Sequence, residues 1–126
     1  MKNTIISLIL FFIVVGFVIF ANNELIKLCD EISKESSQIE ELLDSGNWNE
    51  SYKKSVKLLE LLKTDGFVSS IYINHTDIDE LINNTVRATV LIKCHDKAES
   101  LSTLHLIKYN ADRIKQLQYP TLNNIL

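Results

Sequence analysis

Ile5 to Ala21 reads IISLILFFIVVGFVIFA, a run with no charge and with Ser7 as its only polar side chain. A helix needs roughly 17–25 apolar residues to cross the hydrocarbon core of a bilayer. The run reaches the short limit, and Thr4 lengthens it slightly. A buried helix of a water-soluble protein usually keeps a polar stripe, and this run has none. Residues 4–21 are therefore read as lying in a lipid bilayer. The chain divides into an N-terminal membrane anchor, 1–23, and a helical domain, 24–126.

A cleaved signal sequence is the alternative. Signal h-regions run about 7–15 residues and end in a small-x-small site. This run is longer, and Ile19-Phe20-Ala21 puts a bulky Ile at the outer small position. Ile26-Lys27-Leu28 before Cys29 departs from a lipoprotein-type site through its Lys. An uncleaved anchor is the expectation. Lys2 and the amino terminus are the only positive charges before the run, and basic flanks stay inside. The expected location is the cell membrane, single-pass, with the N-terminus cytoplasmic and residues 24–126 extracytoplasmic.

All sixteen acids lie beyond Asn23, with twelve of the thirteen Lys and Arg, so the second part carries a net −4. Phosphate binding needs clustered basic residues, so no nucleic-acid partner is expected. Adhesion to anionic headgroups is disfavoured for the same reason. Three Gly and one Pro in 126 residues favour long helices over a many-turned β fold.

Apolar residues at Leu25, Leu28, Cys29, Ile32, Ile39, Leu42 and Leu43 recur at helical spacing. Ser36 interrupts the stripe. This helix is expected to continue from the membrane run and to stop at Ser45-Gly46, where Gly suits a C-cap. Asn47 then caps a second helix, with Glu50 as reciprocal partner and Trp48, Tyr52, Val56, Leu59 and Leu62 as its face. Asp65-Gly66 is expected to weaken or end it, leaving Phe67, Ile71 and Ile73 in the connection. A third helix spans about Thr76 to Cys94, with Ile78, Leu81, Ile82, Thr85, Ala88 and Ile92 inward. His95-Asp96 makes a turn. The last helix turns Leu101, Leu104, Ile107, Ala111, Ile114 and Leu117 inward and closes at Pro120, before a tail with Leu122, Ile125 and Leu126. No single helix can bury its stripe alone. The fold class expected is all-α: a transmembrane helix followed by an antiparallel up-down bundle of about four helices.

Ile73-Asn74-His75-Thr76-Asp77-Ile78-Asp79-Glu80 is the stretch most like a chemical site. Helix initiation accounts for its acids. Helix N-termini leave N–H groups unpaired and carry partial positive charge. Asn74 and Thr76 have capping chemistry, with Asp77 and Asp79 three residues on. His75 is the residue that capping does not require. His75, Asp77 and Asp79 are therefore the candidate partner-binding residues. Trp48, Tyr52, Asn47, Asn74 and Thr76 are assigned to core packing or capping.

A zinc site needs four converging ligands, or three plus water. In an up-down bundle His75 and His95 lie at opposite ends, about 25–30 Å apart at 1.5 Å per residue, with His105 between. No metal and no cofactor are expected. The same geometry separates Cys29 from Cys94 beyond the ~7 Å that a disulfide allows, so two free, mostly buried thiols are expected. No catalytic residue and no enzyme activity are expected. Asn49, Asn74 and Asn83 head Asn-x-Ser/Thr sequences, which matter only in a eukaryotic secretory pathway.

A membrane segment, Trp48 opening the second soluble helix, the run Ile73-x-His75-x-x-Ile78-Asp79 and the tail Leu122-x-Asn124-Ile125-Leu126 go together. Over nearly the whole chain this pattern resembles the domain-of-unknown-function family 4363 of Clostridium-like bacteria. The resemblance implies a small bacterial membrane-anchored helical protein with another membrane protein as partner. It supplies no catalytic residue. Phe67 stands where relatives often carry Trp, so packing there is expected to differ. The function expected is that of an uncharacterised single-pass membrane protein acting as an accessory or interaction protein. A ligand-sensing helical module is the alternative, and a membrane-bound metal-dependent enzyme is a third.

Overall fold

The computed structural model describes residues 1–69 and 75–118. Four helices are present among the described residues: α1, Lys2–Asp44; α2, Trp48–Ser69; α3, His75–Lys93; and α4, Lys97–Gln118. There is no strand among the described residues. The expected all-α bundle behind a long apolar helix is what forms.

α1 is unbroken across the expected anchor–domain boundary. Residues 1–20 are all exposed. From Leu25 onward one face is buried: Leu25, Leu28, Cys29, Ile32, Ser36, Ile39 and Leu43. Ser36 is no interruption. It sits in the stripe, fully buried, and its hydroxyl has no hydrogen-bond partner.

Gly46, at φ 79°, ends α1 as expected. The Gly46 amide donates to Leu43 O at 3.1 Å and the Asn47 amide to Leu42 O at 2.9 Å. This is a Schellman turn, which satisfies carbonyls that a helix end leaves open. Asn47 Oδ1 accepts from the Glu50 amide at 3.3 Å, so Asn47 is the cap of α2. The reciprocal bond from Glu50 is not made. The Asn47 N–H is already engaged with Leu42, and the Glu50 carboxylate lies 3.6 Å from Lys53 Nζ.

The α3–α4 turn repeats this construction. The His95 amide donates to Ile92 O and the Asp96 amide to Leu91 O, each at 3.0 Å. The Glu99 amide donates to Asp96 Oδ1 at 3.2 Å. Leu42-Leu43-x-x-x-Asn47-x-x-Glu50-Ser51 thus corresponds to Leu91-Ile92-x-x-x-Asp96-x-x-Glu99-Ser100. Ser51 and Ser100 are both fully buried. The bundle consists of two like αα-hairpins, a relation hidden in the apolar spacing because it lives in the capping positions. One difference is at the left-handed residue. His95 takes φ 58° where the first turn has Gly.

Each helix packs on two others: α1 on α2 and α4, and α3 on α2 and α4. Ion pairs give the register. Lys97 lies 3.9 Å from Asp44, Lys108 3.0 Å from Glu40, and Lys115 2.6 Å from Asp30. As α4 advances its partners on α1 recede, so the two run antiparallel. Lys54 on α2 meets Glu35 at 3.7 Å and also donates to Gln38 on α1. Exposed pairs of this kind stabilise by roughly 0.2–1 kcal/mol each; their main effect is on alignment. Leu43, Leu58, Leu62, Leu81, Ile92, Leu104 and Ile107 are among the aliphatic residues of the core between the helices.

The face of α2 differs from expectation. Its buried residues are Ser51, Ser55, Leu58 and Leu62. Tyr52 is 37% exposed, and Val56 and Leu59 are only half-buried. The inward side is rotated by about one residue. Two serines face the core because their hydroxyls donate to the backbone of their own helix, Ser51 to Asn47 O and Ser55 to Tyr52 O, both at 2.7 Å. A serine satisfied this way buries little polarity. α2 also runs through Asp65-Gly66 to Ser69, so Phe67 is helical and not in the connection. Ile71 and Ile73 lie outside the described residues.

α3 buries Ile78, Leu81, Thr85, Ala88 and Ile92 as expected. α4 buries Leu104, Ile107, Ala111 and Ile114, whereas Leu117 is 55% exposed. Leu117 lies in the last described turns of α4, beyond the Lys115–Asp30 pair. Pro120, Leu122, Ile125 and Leu126 lie outside the described residues.

Candidate functional site

The expected partner-binding run begins α3, with His75 as its first residue. Asn74, the expected cap, lies outside the described residues. Thr76 is the second residue inside the helix and so is not its cap. Ile78 is buried in the core. Asp77 is half-buried and accepts from Arg113 Nη2 at 3.0 Å. Glu80 lies 3.5 Å from the same nitrogen. Two acids of the run therefore hold α4 against α3 through Arg113, a contact that capping arguments did not show. Asp79 points away from the core and is exposed.

The three histidines do not converge. His75 and His95 stand at opposite ends of α3, about 30 Å apart at 1.5 Å per residue. His105 is midway along α4, where its Nδ1 lies 3.2 Å from Glu40 Oε1. No group of three or more His, Cys, Asp or Glu able to hold a metal occurs among the described residues. A groove of about 250 Å³ between α1 and α2 is lined by Glu31, Glu35, Lys57, Leu58 and Leu61.

Cys29 and Cys94 are both free. Cys29 is buried as expected. Cys94 is exposed, against expectation, because it stands at the end of α3 in the turn, where its side chain leaves the core. Burial, helped by the Asp30 carboxylate beside it, pushes the Cys29 thiol up to about 12. It stays protonated at neutral pH and is a poor nucleophile.

The end of the bundle carrying the two Schellman turns holds a contact that sequence reasoning missed. The Trp48 indole stacks on the His95 imidazole, with ring centroids 4.5 Å apart and planes within 5°. It ties the two hairpin turns together. Trp48 is also packed against the core. Stacked aromatic pairs contribute about 0.5–1.5 kcal/mol beyond their buried area. A non-Gly residue in the left-handed region costs roughly 1–2 kcal/mol. His95→Gly should therefore be nearly neutral in the native chain, the two effects offsetting. In a Trp48→Ala background no stack remains to lose, so His95→Gly should stabilise by about 1 kcal/mol. Urea unfolding of the four chains of this double-mutant cycle checks it. Equal effects of His95→Gly in both backgrounds would show that the rings are not coupled.

These features define an all-α up-down four-helix bundle carried on a long apolar helix. The family model for "Domain of unknown function (DUF4363)" matches residues 19–125, and the chain belongs to that family. No curated protein and no solved structure matches it.

Proposed function

We propose that the chain is a single-pass membrane protein whose bundle, outside the cytoplasm, binds and assists another membrane protein. The observation that carries this reading is α1 itself. Its apolar half is long enough to cross a membrane, and none of it is buried within the chain. Its other half is one wall of the bundle. With no break between them, the bundle is held at the membrane surface on a stiff stalk, within reach of neighbours in the same bilayer.

The bundle acts by binding and not by catalysis. Asp77, Glu80 and Glu40 are engaged in ion pairs between helices. Val90, 54% exposed, and Tyr109, 65% exposed, offer apolar contact area on its outer surface. The test is site-specific photocrosslinking in the native membrane, with the crosslinker at Val90 or Tyr109 of the full chain. One recurrent membrane-protein adduct is expected. Adducts with lipid or with the chain's own copies alone would count against the accessory role.

A further inference from the structure

The apolar stripe that Tyr52 and Val56 mark on α2 is not the one that α2 buries. Both lie on the margin of the core, with Ser51 and Ser55 inside it. Neighbouring helices fix the side they occupy. Lys54 reaches α1. Tyr52, Val56 and Lys63 stand on the other flank of the buried Ser55, Leu58 and Leu62, and so border α3. α3 has a matching stripe. Its Asp77, Glu80 and Arg87 pair with α4. On its opposite flank, bordering α2, stand Asp79, Val86 and Val90, all exposed. A groove of about 330 Å³ on the α2 side of this border is lined by Tyr52, Lys53, Val56, Lys57 and Glu60. Ion pairs tie α1 to α2, α1 to α4 and α3 to α4, and among the described residues none ties α2 to α3.

The Trp48–His95 stack sets α2 and α3 level at the two turns. The helices are antiparallel. Tyr52, four residues on from Trp48, is therefore level with Leu91, four back from His95, and lies beside Val90 in height. Val56 is level with Arg87, next to Val86, and Lys63 with Glu80, next to Asp79. From the turns downward α2 reads Tyr52, Val56, Lys63, and α3 reads Val90, Val86, Asp79. At equal height the two stripes match, apolar with apolar and base with acid. Within one copy they lie side by side on the outer surface and do not cover each other. Between two copies they can.

We propose that a second copy of the chain docks on this face, with α2 of each copy against α3 of the other. α1 decides the occupant. As a membrane span it holds every copy in the same sense, so two copies meet side by side at equal height. A two-fold axis along the bundle then makes each contact twice. Tyr52 meets Val90, Val56 meets Val86, and Lys63 stands opposite Asp79. The contact is small. From Tyr52 to Lys63 the stripe rises about 17 Å, which places it among weak interfaces, below about 1,200 Å² in all. Pairing is therefore expected between copies held in one bilayer and not between bundles free in water. A crosslinker at Val90 meets the chain's own copy, while Tyr109, on α4 and away from this face, stays open to the accessory partner. The inference rests on the reading of α1 as a membrane span and not on the accessory role.

The test uses the full chain in phosphatidylcholine vesicles at a low protein-to-lipid ratio, with Cys94→Ser to remove the exposed thiol. Cys29 stays in place, buried and protonated. Chains with Tyr52→Cys are mixed with chains of another size carrying Val90→Cys, and the thiols are oxidised with copper phenanthroline. Mixed dimers should exceed several-fold those between Tyr52→Cys and Glu41→Cys, an exposed position on α1. Val56→Cys with Val86→Cys serves as the second pair if a variant of the first does not fold. Adding Lys63→Asp to the α2-labelled chain should lower the yield roughly 2–5-fold, as the loss of an exposed ion pair does. Adding Asp79→Lys to the other chain should then restore it, which a pairing of Lys63 with Asp79 inside one chain would not do. No excess over the Glu41→Cys control, or no restoration by Asp79→Lys, overturns the proposal. Release of the native chain from the vesicles by carbonate overturns the membrane reading of α1, and this inference with it. A chain that resists carbonate and gives no mixed dimer overturns the interface alone.

Discussion

Ile39→Ala should destabilise the bundle by about 2–5 kcal/mol, out of the roughly 5–15 kcal/mol that a domain of this size has. Ile39 is fully buried on α1. The Lys108–Glu40 pair brings it level with Ile107 of α4, also fully buried. α2 and α3 contribute small side chains to the core, among them Ser51, Ser55 and Thr85. The large aliphatics therefore carry most of the packing, and few neighbours are bulky enough to fill the space that a truncation leaves. The ion pairs from Asp44 to Asp30 also hinder α1 from sliding to close it. Urea unfolding of the full chain in mild detergent, followed by far-ultraviolet circular dichroism, should show the midpoint falling sharply. Val90→Ala, at a 54% exposed position, should shift stability by no more than about 0.5 kcal/mol. Similar losses for both would mean that the core is not where the structure puts it.

The parts of this fold that were legible in the sequence are those whose causes are local. The stop at Ser45-Gly46, the Asn47 cap and the His95-Asp96 turn are set by capping chemistry within a few residues, and each occurs. The stripes of α3 and of α1 were legible because long aliphatic residues recur at three and four. α2 was misread for the converse reason. Ser51 and Ser55 give no apolar signal, yet they are the buried ones, while Tyr52 and Val56 look like core and lie on its margin. Gly66 did not end α2, because a glycine inside a helix costs only about 1 kcal/mol. The candidate site was legible as a helix start and no further. Its tie to Arg113 is a contact across 36 residues between exposed or half-buried charges, and no spacing rule within one helix announces it. The Trp48–His95 stack joins two turns that are 47 residues apart in the chain. It became visible only when the bundle brought the turns together.

Ile13→Arg should release the chain from membranes while leaving the bundle folded. An arginine at the centre of a spanning helix costs about 2.5–3.5 kcal/mol on the insertion scale, against a gain of about 0.3–0.6 kcal/mol for the isoleucine it replaces. The run from Ile5 to Ala21 sits at the short limit for a span, so little surplus remains to absorb that cost. In cells, most of the chain should move from the carbonate-resistant membrane pellet to the soluble or degraded fraction. The bundle should not notice. Ile13 is 60% exposed and no residue before Ala21 is even half-buried, so the substitution removes no contact from the core. The urea midpoint of the detergent-solubilised variant should stay within about 0.5 kcal/mol of the native chain. The two readings of the apolar run part on this pair of measurements. A run that served as a core helix would unfold the bundle when charged, and a run that served only as a membrane span would change location and nothing else. A variant that loses its fold and keeps its membrane association would refute the separation of α1 into an exposed apolar half and a half in the core.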